Sequence, residues 1–427
     1  MDNGETLLLL IASSLAGVIS GTLTGLIPGI HPNNIASLLI TLAALSSVAS
    51  AEHELLISAF LLSASVTHTF LSFIPSAFIG APEGETALSV LPAHTMLLQG
   101  RAYEAVVLSA AGSFFAVIFA FAFLLPFKLM LFLYSYVSDF TLYVLIGISL
   151  LLILSESIKS MEPVEAVIAS SFVFILSGVF GYFISNMNLS SPVFASSSNA
   201  LFPALTGLFG LSTVIFSLLH TPEIPAQKTE KTRIKISSAM KSAFVGSSSG
   251  MFVSFIPGVT AAHATVIAML ARKNRSPEHV ILTLSAVNTA NTIFCMATLF
   301  ILIEARSGVA IALQKILPIT QWNGFIPPYN LSLLLISVII ASSAAYFLTI
   351  KLGKHFSTML EHISYRHFLM ITALIITALV FVLSGTLGIL ILAVATSIGI
   401  VPITLGVRRS NCMGVLLLNI IFYLLQQ

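Results

Sequence analysis

Two Pro-Gly pairs interrupt long apolar stretches of this 427-residue sequence, and the polar residues beside them have the chemistry to bind an anion. Proline and glycine end a helix, so each pair frees backbone N–H groups at the start of the segment that follows. These groups lie at the positive end of the helix dipole, which attracts anions. We therefore predict substrate-binding residues at both breaks, namely Pro28, Gly29, His31, Asn33 and Asn34 at the first and Pro257, Gly258, Thr260, His263 and Thr265 at the second.

The same residue types have a second interpretation. Proline and glycine also shape helical hairpins that bind nothing, and a histidine is often satisfied by backbone or water. Asparagine and threonine, by contrast, would hydrogen-bond a carboxylate, and a protonated histidine would bind it or carry coupling protons. Because a related break occurs in each half of the chain, we favour a binding site.

Further polar residues lie within or beside later apolar stretches. Side chains of this kind usually face the protein interior, and acids within a membrane often bind Na⁺ or relay protons. Interhelical hydrogen bonding is the alternative for the amides and hydroxyls, and solvation at the surface is the alternative for the acids. We assign Asn288 and Asn291 to the substrate, and His68, Thr69, Glu83, Glu85 and Glu304 as candidates for the coupling ion.

The composition identifies the solvent in which these residues must lie. Hydrophobic residues make up 57% of the chain and charged residues only 8%, whereas soluble domains carry about 25% charge. This excludes an ordinary cytosolic enzyme, a nucleic-acid binder and a disordered protein. The net charge of +2 is too small to indicate a polyanionic partner. Cys295 and Cys412 lie in apolar stretches and are predicted to be core residues.

The apolar stretches are long enough to cross a bilayer, which takes about 20 residues in a helix. They lack the alternation of a membrane barrel. We therefore predict an all-α integral membrane protein with about 10 to 14 membrane segments, including a short segment at 259–271. The expected spans are 6–27, 34–50, 55–79, 103–126, 129–154, 164–185, 201–219, 238–257, 279–303, 329–350, 368–383, 385–405 and 412–426.

The two halves of the sequence contain a related pattern. Gly17, Gly21 and Gly25 precede the first Pro-Gly pair, and Gly246, Gly250 and Ser254 precede the second at a constant offset of 229. A weaker match aligns 65–69 with 288–292 at an offset of 223. Small residues four apart allow helices to pack closely. We interpret the halves as repeats, each containing a helical hairpin broken at Pro-Gly.

The basic residues predict an orientation and an inversion of the second repeat. With the N-terminus outside, 15 Lys and Arg residues fall inside and only 3 outside, as the positive-inside rule requires. Both termini are then outside, and the hydrophilic linker 220–237 is a solvated cytoplasmic loop. Seven passes per half would invert the second repeat, an arrangement typical of secondary transporters. The predicted units are 1–219, 220–237 and 238–427.

Enzymatic chemistry finds little support in the sequence. It contains no metalloprotease, serine-hydrolase, P-loop or dinucleotide-binding motif. Metal ligands do not occur at a suitable spacing either, so no cofactor is expected apart from a coupling Na⁺ or H⁺. We predict that the protein is not an enzyme.

Several motifs resemble those of the TctA family, the large membrane subunit of tripartite tricarboxylate transporters. The stretch 21–33, with Pro28-Gly29 and His31-Pro32-Asn33, resembles that family's N-terminal motif, and 79–102 resembles its Pro-Gly-Thr-rich loop. The second Pro-Gly pair and 287–292 match its second half, although the acid of the family's Asn segment is missing. Ala93-His94 replaces the family's Asp-Gly. The sequence is most similar to the divergent archaeal branch.

The resemblance implies a transporter that works with partners. Bacterial members import carboxylates together with a small membrane subunit and an extracytoplasmic binding protein. We therefore expect an ion-coupled transporter of a di- or tricarboxylate-like anion in the cell membrane, operating by alternating access around the Pro-Gly breaks. Its partners are expected to be the anion, the lipid bilayer and those two subunits. No nucleic-acid partner is expected, and the sequence leaves open whether the protein forms a homodimer. One alternative is a translocase for polyprenyl phosphate or another anionic lipid carrier. Another is a membrane enzyme that acts on a lipid phosphate.

Because charges are scarce, anion recognition should depend on helix ends and uncharged side chains. We predict that the Asn33→Ala/Thr260→Ala double variant binds carboxylates at least about tenfold more weakly, since it loses two hydrogen bonds to a charged ligand. Isothermal titration of the purified protein with citrate and succinate measures this. An unchanged affinity would show that neither side chain recognises the anion.

Overall fold

The computed structural model describes residues 3–27, 32, 35–36, 51–78, 90–131, 140–157, 162–185, 187–190, 197–219, 225–228, 235–256, 261–270, 276–359 and 364–426. Over these residues the prediction of an all-α fold is confirmed. The exception is a hairpin of two three-residue strands, β1 (Asn188–Ser190) and β2 (Ser197–Asn199), which the apolar pattern did not predict.

The described helices of the first half are α1 (Asn3–Leu26), α2 (Ala51–Leu71), α3 (Phe73–Phe78), α4 (Val90–Leu98), α5 (Ala102–Leu131), α6 (Thr141–Leu154), α7 (Pro163–Ser185) and α8 (Leu201–Leu219). Most of these helices match predicted spans, but α4 was not predicted, α6 begins later than the predicted 129, and nearly all of the predicted span 34–50 lies outside the described residues. Residues Thr206–Leu211 of α8 form a π-helical segment.

The second half has a similar succession of helices. They are α9 (Ile236–Val253), α10 (Ala261–Leu270), α11 (Pro277–Leu302), α12 (Gly308–Ile316), α13 (Tyr329–Met359), α14 (Tyr365–Thr404), a 3-10 helix (Arg409–Met413) and α15 (Gly414–Leu425). Eight helices within the described ranges are long and apolar enough to cross a membrane. The protein is therefore a multi-pass membrane protein.

Glycines bring α1 against α2. A Cβ atom added at Gly17 would lie 2.4 Å from the carbonyl oxygen of Phe60, and one at Gly21 would lie 2.3 Å from that of Ala64. The two backbones can approach this closely only because no side chain stands between them. Both contacts advance in the same direction along the chain, so α1 and α2 are parallel.

The contacts between α9 and α11 correspond to those between α1 and α2. A Cβ at Gly246 would lie 2.3 Å from the Thr283 oxygen, and one at Gly250 would lie 2.6 Å from the Val287 oxygen. Gly246 and Gly250 follow Gly17 and Gly21 by the offset of 229 residues. The residues whose carbonyls they contact, Thr283 and Val287, follow Phe60 and Ala64 by the offset of 223 residues. Both offsets found in the sequence thus describe equivalent packing contacts in the two halves.

The two helix pairs run in opposite directions. Phe73 and Ile74, which follow α2, share a buried cluster with Ile281 and Leu282 near the start of α11. The end of α2 therefore lies beside the beginning of α11, so these two helices are antiparallel. Because each is parallel to its glycine-rich partner, the pair α1–α2 is antiparallel to the pair α9–α11.

The next long helix of each half packs against the other half. Helix α5 lies along α9 and α11, whereas α13 lies along α1 and α2. Helices α5 and α13 also touch each other in antiparallel fashion, because Val106 meets Gly353 and Phe114 meets Tyr346. The two halves are therefore interlocked through these two helices.

The extensive helix contacts of the described chain divide it into two bundles. The first bundle contains α1–α5 and α9–α13, and the second contains α6–α8, the hairpin, α14, the 3-10 helix and α15. Each half contributes to both bundles. The division into the units 1–219 and 238–427 stays a prediction. In the described ranges the helices pack by bundle and not by half of the chain.

The linker was predicted to be a solvated loop, and in its described part, 225–228, all residues except Gln227 are exposed. Gln227 is only 5% exposed. Its amide oxygen accepts from Ala102 N–H at the start of α5, and its amide nitrogen donates to the Leu97 carbonyl at the end of α4. It thereby satisfies one orphan group at each helix end. We call this end of the molecule the linker end and the opposite end the far end.

Two further predicted helix boundaries differ from the structure. Helix α5 continues through Pro126 to Leu131, because a proline near a helix end breaks few backbone bonds. Helix α14 combines the predicted spans 368–383 and 385–405 but reverses at Gly385, which has φ of 64°. The reversal follows from packing, since Leu369 lies near Val214 in one cluster while Leu392 meets Gly207 farther back along α8.

The glycine contacts predict a site-specific loss of stability. Gly250→Ala places a methyl group against the Val287 carbonyl and should destabilise the protein by about 1–3 kcal/mol through overpacking. Gly147→Ala in α6 is the matched control, because nothing lies within 4 Å of that position. Thermal unfolding in detergent should show a lower Tm for Gly250→Ala alone. Equal Tm values for the two variants would mean that the close approach of α9 and α11 is not present.

Candidate functional site

A cavity lies between α2 and α11, where the two halves of the chain meet. It encloses about 520 Å³ of space between atoms, including some open to solvent. Its lining is about half apolar, from residues such as Leu62 and Met296. The polar lining residues are Ser65, His68, Thr69, Asn291, Thr292 and Ser307.

The cavity lies at middle depth in the helix bundle. Asn291 is about 21 Å from the start of α11 at Pro277 and about 16 Å from its end at Leu302, at 1.5 Å per residue. Pro32, three residues after the first Pro-Gly pair, also lines the cavity. The chain that leaves the first break therefore reaches this space.

His68 is held by a short chain of hydrogen bonds. The hydroxyl of Thr24 donates to the Gly21 carbonyl at 3.1 Å, and the same oxygen lies 3.1 Å from Nδ1 of His68. Because the Thr24 proton is already used, Nδ1 is the donor and carries the hydrogen.

Thr69 links the two halves across the cavity wall. Its hydroxyl donates to the Val66 carbonyl at 2.8 Å and lies 3.0 Å from the Thr289 hydroxyl, which is therefore the donor in that second bond. Both side chains are buried. The bond fixes the position of α2 relative to α11 at the level of the cavity.

Asn288 has an orphan acceptor one helical turn from the lining residues. Its side chain is 3% exposed, and among the described residues its Oδ1 has no hydrogen-bond partner. The backbone carbonyl of the same residue accepts from Thr292, which lines the cavity. A buried acceptor without a donor is costly, so it indicates a place where a ligand, a cation or water completes the bonding.

The lining contains no Asp, Glu, Lys or Arg among the described residues. A formal charge at the middle of a bilayer costs at least about 2.5 kcal/mol, so neutral dipoles are the cheaper way to make such a cavity polar. No group of three or more His, Cys, Asp or Glu in the described ranges could hold a metal ion.

Many of the predicted site residues lie outside the described residues. These are Pro28, Gly29, His31, Asn33, Asn34, Glu83, Glu85, Pro257, Gly258 and Thr260. The backbone of His263 lies in α10, and its side chain is outside the description. The role of these residues stays a prediction.

Of the described predicted residues, the structure brings together His68, Thr69 and Asn291 at the cavity, with Asn288 close by. It does not place Thr265 and Glu304 at the cavity. Thr265 is buried but bonds the Ala261 carbonyl in its own helix at 2.9 Å. Glu304 is half-exposed at the far end and forms an ion pair with Arg306.

The sequence reasoning missed Ser65, Thr292, Cys295 and Ser307 as lining residues. Helical spacing would have found three of them, because Ser65 lies three residues before His68, Thr292 lies four residues after Asn288, and Cys295 lies four residues after Asn291. Ser307 gave no such signal. It caps α12, where its hydroxyl accepts from Ala310 N–H at 3.1 Å.

The sequence matches the Tripartite tricarboxylate transporter TctA family over residues 11–414. Because this is nearly the whole chain, the protein belongs to the TctA family, a family of membrane transport proteins. The protein is also 30% identical to an uncharacterised protein of Methanocaldococcus jannaschii over 419 residues, which cover 96% of this chain and 98% of the relative. No solved structure matches the protein significantly.

The two cysteines provide a test of the cavity. Cys295 lines it, whereas Cys412 is fully buried in the 3-10 helix and does not touch the cavity. A small water-soluble methanethiosulfonate reagent should therefore modify Cys295 and spare Cys412, because a thiol buried in apolar surroundings is inert. Peptide mass mapping would identify the label, with Cys295→Ser as the control. Labelling of Cys412 ahead of Cys295 would show that the cavity is closed to water.

Proposed function

We propose that this TctA-family protein is a secondary active transporter that carries a di- or tricarboxylate-like anion through the central cavity, driven by a Na⁺ or H⁺ gradient. The observation that supports this most is the polar, uncharged cavity at middle depth between antiparallel helix pairs. Ligand sites of secondary transporters are expected at this depth, between repeats. A lining that is half polar favours a small solute over a lipid tail.

We propose further that the two halves are inverted repeats, as the basic residues predicted. The equivalent glycine contacts at offsets of 229 and 223 support this, as does the antiparallel arrangement of α1–α2 and α9–α11. The exchange of α5 and α13 between the halves has the same twofold character. In this arrangement α1 and α9, the helices that precede the two Pro-Gly pairs, run toward the level of the cavity from opposite ends.

The roles of the site residues follow from their chemistry. Asn288 and Asn291 would hydrogen-bond the carboxylates, together with backbone N–H groups at the two breaks. His68 would carry the proton in H⁺ coupling, because it lines the cavity and histidine is the side chain whose charge changes most readily near neutral pH. In Na⁺ coupling the hydroxyl oxygen of Thr69 would be a ligand, since hard cations prefer oxygen.

The proposed orientation places the linker end in the cytoplasm of the cell and both termini outside. In the structure α1 begins and α15 ends at the far end, as the parallel and antiparallel contacts require. Lys128, Arg306 and Lys315 also lie toward the far end. Most of the other described basic residues lie toward the linker end, which agrees with the positive-inside rule; they include Arg101, Lys228, Lys235, Lys351, Lys354, Arg408 and Arg409.

Alternating access would be a movement of one helix bundle relative to the other. Within each bundle the described helices have extensive contacts, whereas contacts between bundles are sparse. Close-packed groups of helices move as units, so the junction between the bundles is where sliding costs least. As the family description states, TctA proteins serve tripartite transporters, and we propose that a small membrane subunit and an extracytoplasmic binding protein assist here as well.

Counterflow in proteoliposomes tests the transport proposal. The protein should exchange labelled citrate or succinate, and Asn288→Ala should reduce the initial rate by about tenfold or more, because one hydrogen bond to a charged group is lost. Asn323→Ala is the matched control, since Asn323 is exposed in the loop before α13. The measurement is made under Na⁺ and H⁺ gradients, with and without an added binding protein.

Two results would contradict the proposal. Absence of uptake for every carboxylate under both gradients would exclude carboxylate transport. Equal rates for Asn288→Ala and Asn323→Ala would exclude Asn288 from the site while leaving transport itself intact.

A further inference from the structure

Two adjacent arginines near the C-terminal end of α14 have different surroundings. Arg408 has a counter-ion, because its Nε lies 3.4 Å from the carboxylate of Glu156, which is 5% exposed. Its Nη1 also donates to the Ser155 hydroxyl at 3.0 Å. The position of Arg408 is thus explained by an ion pair within the second bundle.

Arg409 faces neutral groups instead. Its Nη1 donates to the hydroxyl oxygen of Thr213, whose own proton is donated to the Phe209 carbonyl at 2.6 Å. None of the ion pairs found among the described residues includes Arg409. Burial lowers the pKa of Arg409 to about 10, which still leaves the guanidinium charged near neutral pH.

His94 of α4 lies in the same region, because its neighbour Ala93 shares a buried cluster with Val214, the neighbour of Thr213. Burial, followed by the positive charge of Arg409, lowers the pKa of the His94 imidazole. A neutral imidazole has one N–H donor and one lone pair. Within the part of the chain that the structure describes, the guanidinium has one side-chain acceptor, the Thr213 hydroxyl, so most of its N–H donors remain available for a ligand.

These residues come together where the two bundles meet, near the linker end. Thr213 and Arg409 belong to the second bundle and His94 to the first. Thr213 lies about 9 Å before the end of α8 at Leu219, and His94 lies at most about 9 Å before Gly100, at 1.5 Å per residue. The Gly100 carbonyl accepts a hydrogen bond from Lys228 of the linker. In a bilayer, groups this close to the ends of their helices would lie near the lipid headgroups.

A partly buried cation without a counter-ion is unfavourable, and a bound anion would relieve that cost. The planar guanidinium binds two oxygens of a carboxylate or phosphate at once. A neutral imidazole adds a donor without a second charge. The arrangement has the charge and the donors that an oxyanion needs.

We propose that Arg409, Thr213 and His94 form a second anion-binding site at the junction of the bundles, which binds a carboxylate or phosphate group. None of the three residues lines the central cavity, so the two sites are separate. The group is supplied either by a free anion from the linker side or by the headgroup of an anionic lipid. Both sources present the same oxyanion to the guanidinium.

Arginine footprinting tests this site directly in the unmodified protein. The protein in phosphatidylcholine nanodiscs is treated with phenylglyoxal, and the rate of modification of each arginine is followed by peptide mass mapping. Citrate or inorganic phosphate at ten times its Kd fills about nine sites in ten, so modification of Arg409 should slow about tenfold. Arg408 is the internal control, because Glu156 holds it and its rate should not change.

A second arm distinguishes the two sources of the anion. Nanodiscs that contain phosphatidylglycerol and no added anion should protect Arg409 if a lipid headgroup occupies the site. Protection by citrate or phosphate in phosphatidylcholine indicates a free anion, and protection by either source supports the proposal. An Arg409 that reacts equally under all these conditions, or never reacts, would overturn it.

A variant connects the protection to the proposed geometry. Thr213→Val keeps the shape of the side chain but removes the oxygen that orients Arg409, so protection should weaken. Undiminished protection in a folded Thr213→Val protein would exclude Thr213 from the site. Asn288→Ala should lose counterflow yet keep the protection of Arg409, so a failure of the transport proposal is distinguishable from a failure of this one.

Discussion

The close approach of helix backbones at glycine is the interaction on which the rest of the structure depends. Lipid tails are as apolar as leucine, so membrane helices associate through packing and hydrogen bonds rather than by escape from water. Gly21 lets α1 reach the carbonyl of Ala64, and Gly250 lets α9 reach that of Val287. Helices α2 and α11 are the central ones. In the most apolar stretch of each, 83% of α2 and 89% of α11 is buried, against 28% for α1. The cavity lies between those two central helices, so its walls are held by glycine packing on the side away from the ligand.

The sequence carries this packing in a form that can be read directly. Small residues four apart, repeated in both halves at a constant offset, predicted which faces of α1 and α9 pack closely. The smaller offset only aligned 65–69 with 288–292, and the structure adds that α2 and α11, which contain these segments, are the helices that those faces contact. The predictions failed where a single residue acts against its local pattern. Pro126 does not end its helix, because a proline there sacrifices few bonds, and Gln227 is buried within a hydrophilic linker because two helix ends need its amide. The β1–β2 hairpin was missed because strands of three residues have no readable hydrophobic period.

The candidate site was predictable to a similar degree and for related reasons. His68, Thr69 and Asn291 stand out because polar groups within long apolar helices face protein rather than lipid. Ser65 and Thr292 are equally part of the lining, but serine and threonine so often bond the preceding turn of their own helix that their presence indicates little. Glu304 shows the opposite failure. Its position after a long apolar stretch suggested a site within the membrane, but whether a residue lies just inside or just outside the end of a helix depends on tertiary structure.

A cavity without fixed charge has a consequence for coupling in the proposed transport cycle. An anion that leaves water for a neutral cavity loses most of its hydration, and the cost of burying an isolated charge is large. A fixed arginine would offset that cost, but it would also hold the anion after transport and would itself be expensive to carry at middle depth. A cation that enters with the anion, either Na⁺ on hydroxyl oxygens or a proton on His68, offsets the charge during passage and leaves with it. The uncharged lining therefore favours coupling over uniport, while the fixed charge of Arg409 stands at the bundle junction, where an anion need not be released into the cavity.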